Sequence, residues 1–282
     1  MARIVVIGSV ARDDVVRLHG GFREGTHLQG VWNGPRLGGG ASCTAVPLAH
    51  AGHDVVVVGS IGLDDLGEEL LAELDATGVD MSQVARIDQP STRSIILVDG
   101  EGERTVINVT RTHQDEPPAR LMRLGADCVY VRSRRLDLAP LLREKAASSL
   151  IIAHLPPCLP EGVRPAHILV TSASDVDADV LDDPLAVGRR VAGDLLEWVL
   201  VTHGAKGVIA YGQDETIKVP ARNVKPVDTT GAGDSFAAGL VHALVMGKTM
   251  QEALENGVAW GAEATQWEAS ILPAEAVERL LQ

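Results

Sequence analysis

Short, continuous apolar runs alternate with longer amphipathic stretches along most of this chain. The runs lie at 3–8 (RIVVIG), 55–60 (VVVVGS), 127–131 (DCVYV), 149–153 (SLIIA), 167–171 (HILVT) and 198–202 (WVLVT). Runs of this length suit strands buried on both faces, as in a parallel sheet covered by helices. Helical patterns fall between them, at 41–51, 64–77, 137–147, 184–197, 233–246 and 250–267. The alternation predicts an α/β fold, an open, doubly wound, mainly parallel sheet with helices on both faces.

Two segments break the rhythm. Residues 10–36 are polar and punctuated by glycine, and residues 92–110 alternate like a hairpin turning at Asp99-Gly100-Glu101-Gly102. Together they predict a small β-sheet lid on a core made of 1–9, 37–91 and 111–282. The Pro-rich piece at 155–165 is expected to be a connecting loop.

Composition narrows the partners. The 282 residues are 45% apolar but only 3% aromatic, so aliphatic side chains must fill the core. A formal charge of −13 argues against nucleic acid and anionic membrane as partners. The three cysteines show no metal or CxxC spacing, and no apolar stretch approaches ~20 residues. A cytoplasmic protein is expected.

The densest chemistry is at Asp228-Thr229-Thr230-Gly231-Ala232-Gly233-Asp234-Ser235-Phe236. Glycines running into a helix allow close backbone approach, and the helix start offers free N–H groups and a partial positive charge to an anion. Asp234 beside such a hole could take a proton from a hydroxyl attacking a phosphoryl group. Amides of Gly231, Ala232 and Gly233 would hold the phosphoryl oxygens. In an open α/β sheet ligands gather beyond the carboxyl ends of the strands, which adds Asp13, Arg132, Arg134, Arg135, Ser172, Asp175, Thr202 and Gly204.

DTTGAGDSF resembles, position for position, the C-terminal motif of the ribokinase (PfkB) family of sugar and nucleoside kinases. The resemblance extends through Gly38-Gly39-Gly40, the 57–80 segment and Thr202-His203-Gly204-Ala205-Lys206-Gly207, nearly the whole chain. It implies an ATP- and magnesium-dependent kinase, with a homodimer formed through the lid. By the same resemblance Asp234 is the catalytic base, and Asp13, Gly39 and Gly40 lie at the sugar. Asp228 contacts a sugar hydroxyl or sits near a monovalent cation. Thr202, Gly204 and Gly207 line the nucleotide, and Asn256 flanks the adenine.

The chain departs from the pattern at three places. Cys43 stands where the family commonly has a sugar-binding asparagine, and a thiol is a weak hydrogen-bond partner. Ser172 and Asp175 fall on the family's N-x-x-E motif, so Asp175 would hold magnesium through water. The late Gly-Ala segment reads Gln266-Trp267-Glu268-Ala269-Ser270, which puts alkali-ion activation in doubt. Arg134 with Asn108 and His27 is similar to the anion-binding positions of the branch acting on sulfonated or phosphorylated ketoses, although that branch has lysine at the His27 position. The expectation is a kinase of a small anionic carbohydrate. A kinase of a neutral sugar or nucleoside, a non-catalytic sugar sensor on the same fold, and a dinucleotide-binding oxidoreductase are the alternatives. The last lacks G-x-G-x-x-G after the first strand.

Overall fold

Strand β1 (Arg3–Ile7) shows why the sheet is apolar throughout. Ile4 and Val6 enter one hydrophobic cluster, Val5 and Ile7 another on the opposite face, and none is more than 4% exposed. The computed structural model describes residues 1–112, 119–133, 138–155 and 162–282.

The other strands are β2 (Ala11–Leu18), β3 (Gly30–Gly38), β4 (Asp54–Gly62), β5 (Asp80–Ile87), β6 (Thr92–Val98), β7 (Arg104–Thr110) and β8 (Cys128–Val131). They continue with β9 (Leu150–His154), β10 (Ile168–Ser172), β11 (Trp198–Thr202), β12 (Val208–Gly212) and β13 (Thr216–Val219). Among the described residues the main sheet runs β13-β12-β11-β10-β9-β8-β1-β4-β5. Every neighbouring pair from β5 to β11 is parallel, and β12 and β13 add an antiparallel edge. The chain leaves β1 for β4 on one side and returns to β8 on the other. This reversal opens a crevice at the carboxyl ends of β1 and β8.

Helices α1 (Gly40–His50), α2 (Asp65–Asp75), α6 (Ala232–Val245), α7 (Met250–Ala264) and α8 (Ala274–Leu280) pack on one face. The other face carries α3 (Ala139–Lys145), α4 (Ala178–Asp182) and α5 (Pro184–Ala192). The doubly wound expectation is met, with local differences. The helix expected over 184–197 stops at Ala192, because Gly193 takes φ 75° and breaks the ladder. Strands β5, β12 and β13 and helix α8 have no counterpart in the pattern reading. All three strands lie at or beside a sheet edge and are only partly buried, so their apolar signal is weak.

A second sheet, β3-β2-β6-β7, is the lid. Only β2 and β6 are parallel within it. No helix among the described residues is long and apolar enough to cross a membrane.

Candidate active site

The turn before α6 requires glycine at one place. Gly231 has φ 74°, and a Cβ there would lie 2.0 Å from the Ser270 carbonyl. Past it, the Ala232 amide donates to the Thr229 carbonyl (3.3 Å) and that of Ser235 to the Gly231 carbonyl (2.8 Å). Among the described residues the amides of Gly233 and Asp234 have no partner, and Gly233 has open space on its Cβ side. The expected Ala232 donor is therefore engaged within the turn. Gly233 and Asp234 supply the unpaired donors at the positive end of this 14-residue helix.

These groups face a cleft of about 1160 Å³ at the crevice between β1 and β8. Its walls also carry Asp13, Gly39, Gly40, Cys43, Asn108, Asp175, Thr202, Gly204 and Gly207. Asp13, on lid strand β2, is 7% exposed. Burial pushes its carboxyl up to about 6; the Ser270 hydroxyl and Arg36 oppose the shift, and the charges of Asp234 and Asp14 add to it. Asp13 and Asp234 are thus close enough to repel, and both line the same cleft. Burial, with Asp234 and Asp13 nearby, also pushes the Cys43 thiol well up, so it stays neutral.

The pfkB family carbohydrate kinase model matches residues 1–276. The chain belongs to this family of carbohydrate kinases. It is 28% identical over 256 residues to a fructokinase from Rhizobium leguminosarum bv. trifolii, covering 79% of this chain and 78% of the relative. It is 29% identical over 237 residues to an ATP-dependent ribose-1-phosphate kinase from Halopiger xanaduensis, covering 80% and 79%. The fold is similar to that of Arabidopsis thaliana ribokinase complexed with ribose and ATP, with a TM-score of 0.76, 21% identity and 100% and 99% coverage.

Three residues expected at the site are not on the cleft wall. Asp228 does not reach the cleft; it is fully buried, with Oδ2 on Arg36 Nη1 (2.7 Å) and Oδ1 on the Thr230 amide (2.9 Å). His27 is exposed in the 19–29 loop and is not part of the cleft wall. Asn256 lines a separate cavity of about 450 Å³ with Lys248, Glu252 and Arg222, the last shared by both cavities. Arg134 and Arg135 lie outside the described residues.

Arg132, placed by the sequence only among the strand-end residues, donates from Nε to Asp234 Oδ1 at 2.9 Å. Burial opposes the charge on Arg132, but Asp234 and Tyr130 outweigh it and hold the guanidinium above its ordinary value. Arg104 and Arg111 of the lid and Lys206 of the β11 loop also line the cleft and were passed over. No periodicity marks a lone basic residue at a strand end. Asp175 is exposed and accepts from Ser174 Oγ at 3.3 Å. Among the described residues no three His, Cys, Asp or Glu side chains form a metal-binding group.

Proposed function

We propose that this kinase transfers the γ-phosphoryl group of ATP to a primary hydroxyl of a small anionic carbohydrate, with Asp234 as general base. The observation that carries the reading is the pairing of Asp234 and the unpaired amides of α6 with Asp13 in one cleft. Asp13 binds two adjacent sugar hydroxyls. Asp234 accepts the proton of the attacking hydroxyl, and the Gly233 and Asp234 amides hold the phosphoryl oxygens. The lid strands carrying Asp13 and Asn108 exclude water.

The residues present fit a nucleotide. Thr202, Gly204 and Lys206 follow β11 on the cleft wall, and the buried His203 Nε2 and Thr230 Oγ1 have no hydrogen-bond partner among the described residues. They also fit magnesium carried on phosphate, since that ion keeps several waters and needs one or two carboxylates, here Asp175. The ion would offset phosphate charge.

An anionic acceptor is supported by Arg111, which follows Asn108 by three residues into the cleft, and by Arg104 on the same lid strand. The similarity to a ribose-1-phosphate kinase points the same way. Supply of ATP accords with action in the cytoplasm. A homodimer through the lid would cover its two edges, where Val31, Trp32, Val106, Ile107 and Val109 are 45–58% exposed. A phosphorylation screen across neutral sugars, sugar acids, sugar phosphates, sulfosugars and nucleosides tests the substrate. A preference for a neutral acceptor would remove the anionic reading and leave the kinase reading standing.

A further inference from the structure

The reaction scheme leaves the Arg132–Asp234 contact without a role. Arg132 directly follows β8, and its amide donates to the Ile7 carbonyl (2.7 Å), which fixes its backbone to β1. Its side chain then runs between two bare backbone positions. A Cβ on Gly40, the first residue of α1, would sit 2.4 Å from Arg132 Cγ, and one on Gly8 would sit 3.1 Å from Arg132 Cβ. Two glycines from different elements therefore leave a corridor for this one side chain, and the corridor ends at Asp234. The pair is sheltered, with side chains 31% and 16% exposed.

The contact has a directional consequence. A carboxylate has two oxygens, and Nε engages Oδ1, which leaves Oδ2 the less engaged of the two among the described residues. Asp13 lies close enough to repel Asp234, and Arg132 places a fixed cation against Asp234.

We infer that Arg132 is a positioning residue for the base, holding Asp234 turned so that Oδ2 meets the acceptor hydroxyl. This rests on Asp234 being that base. Oδ2 takes the proton as the hydroxyl oxygen bonds to phosphorus, and the bond from phosphorus to the ADP oxygen breaks with its electron pair going to ADP. Arg132 exchanges no atoms in the step.

The test compares Arg132→Met, which keeps a stem in the corridor without charge, with Arg132→Lys, Gly40→Ala and Asp234→Asn, using the acceptor found in the screen. Arg132→Met is expected to lower kcat about ten- to a hundredfold, the range for a lost hydrogen bond to a charged group, with KM for both substrates within about threefold. The acid limb of kcat at saturating substrate, where Asp13 is already engaged, is expected to move to higher pH. Arg132→Lys should recover part of both effects, and Gly40→Ala, which crowds the corridor but keeps both charges, should lose kcat in the same way. A raised acceptor KM with kcat kept would make Arg132 a substrate ligand and overturn the inference. A kcat loss with an unmoved acid limb and no gain from lysine would reduce it to a structural pair. If Asp234→Asn is inactive while Arg132→Met is normal, only this inference fails; if Asp234→Asn is active, the base assignment itself fails.

Discussion

Arg36 Nη1 on lid strand β3 lies 2.7 Å from Oδ2 of Asp228, the first residue of the turn that leads into α6. The acid is fully buried and the arginine side chain 11% exposed, so the pair is shielded from solvent. The same seam carries the Thr229 amide on the Gly102 carbonyl (2.9 Å) and Arg17 on Glu268 (3.1 Å). The lid and the turn before α6 are thereby joined at several points, and Asp228 is part of that join.

Arg36→Met leaves the Asp228 carboxylate buried without its cation. Breaking a buried pair from one side costs about 3–5 kcal/mol, so urea unfolding should show a loss of that order. A loss below about 1 kcal/mol would mean that Asp228 reaches another partner or water.

Asp234→Asn keeps the shape of the base and removes its proton affinity. A fall in kcat of roughly 10²–10⁴ is expected, with ATP affinity little changed by calorimetry. Turnover within threefold of the parent enzyme would assign the proton to another group.

Asp13 makes opposite predictions for stability and activity. Its folded-state carboxyl, lifted from 3.8 to about 6 chiefly by burial, holds a proton more tightly than the unfolded chain does. Its contribution to stability therefore falls as pH rises from about 3.8 to about 6 and stays low above that. Acceptor binding needs the ionised form, so kcat/KM should fall about tenfold per pH unit below pH 6. Asp13→Asn should abolish acceptor binding yet raise the melting temperature at pH 8. A melting temperature that drops instead would show that the acid is stabilising.

The two glycines of the turn should fail differently. Gly231→Ala meets the Ser270 carbonyl at a positive φ and should destabilise the fold by more than about 1 kcal/mol. Gly233 is helical with open space, so Gly233→Val should fold normally while its side chain fills the anion site and removes activity. A fully active Gly233→Val enzyme would place the phosphoryl group elsewhere.

Trp32, 57% exposed on the β3 edge, should carry the lid interface. Trp32→Asp is expected to shift sedimentation from dimer to monomer at micromolar concentration. A parent enzyme that sediments as a monomer would dismiss the interface.

The sequence by itself determined the layered core and the chemistry of the α6 start. A strand covered on both faces must be apolar at nearly every position whatever its neighbours, as β1, β4 and β11 are. The glycine turn into α6 was legible because its glycines and its acid are contiguous, so local backbone geometry alone assembles it. Strands β5, β12 and β13, at or beside the sheet edges, escaped because partial exposure relaxes that demand on their residues. The partners of Arg132 and Arg36 lie 102 and 192 residues along the chain, and only the folded sheet and lid bring them together. Tertiary structure likewise decided that His27 and Asn256 stand away from the cleft. A side chain's residue type states which bonds it can make, but the packing of distant elements decides which one is within reach.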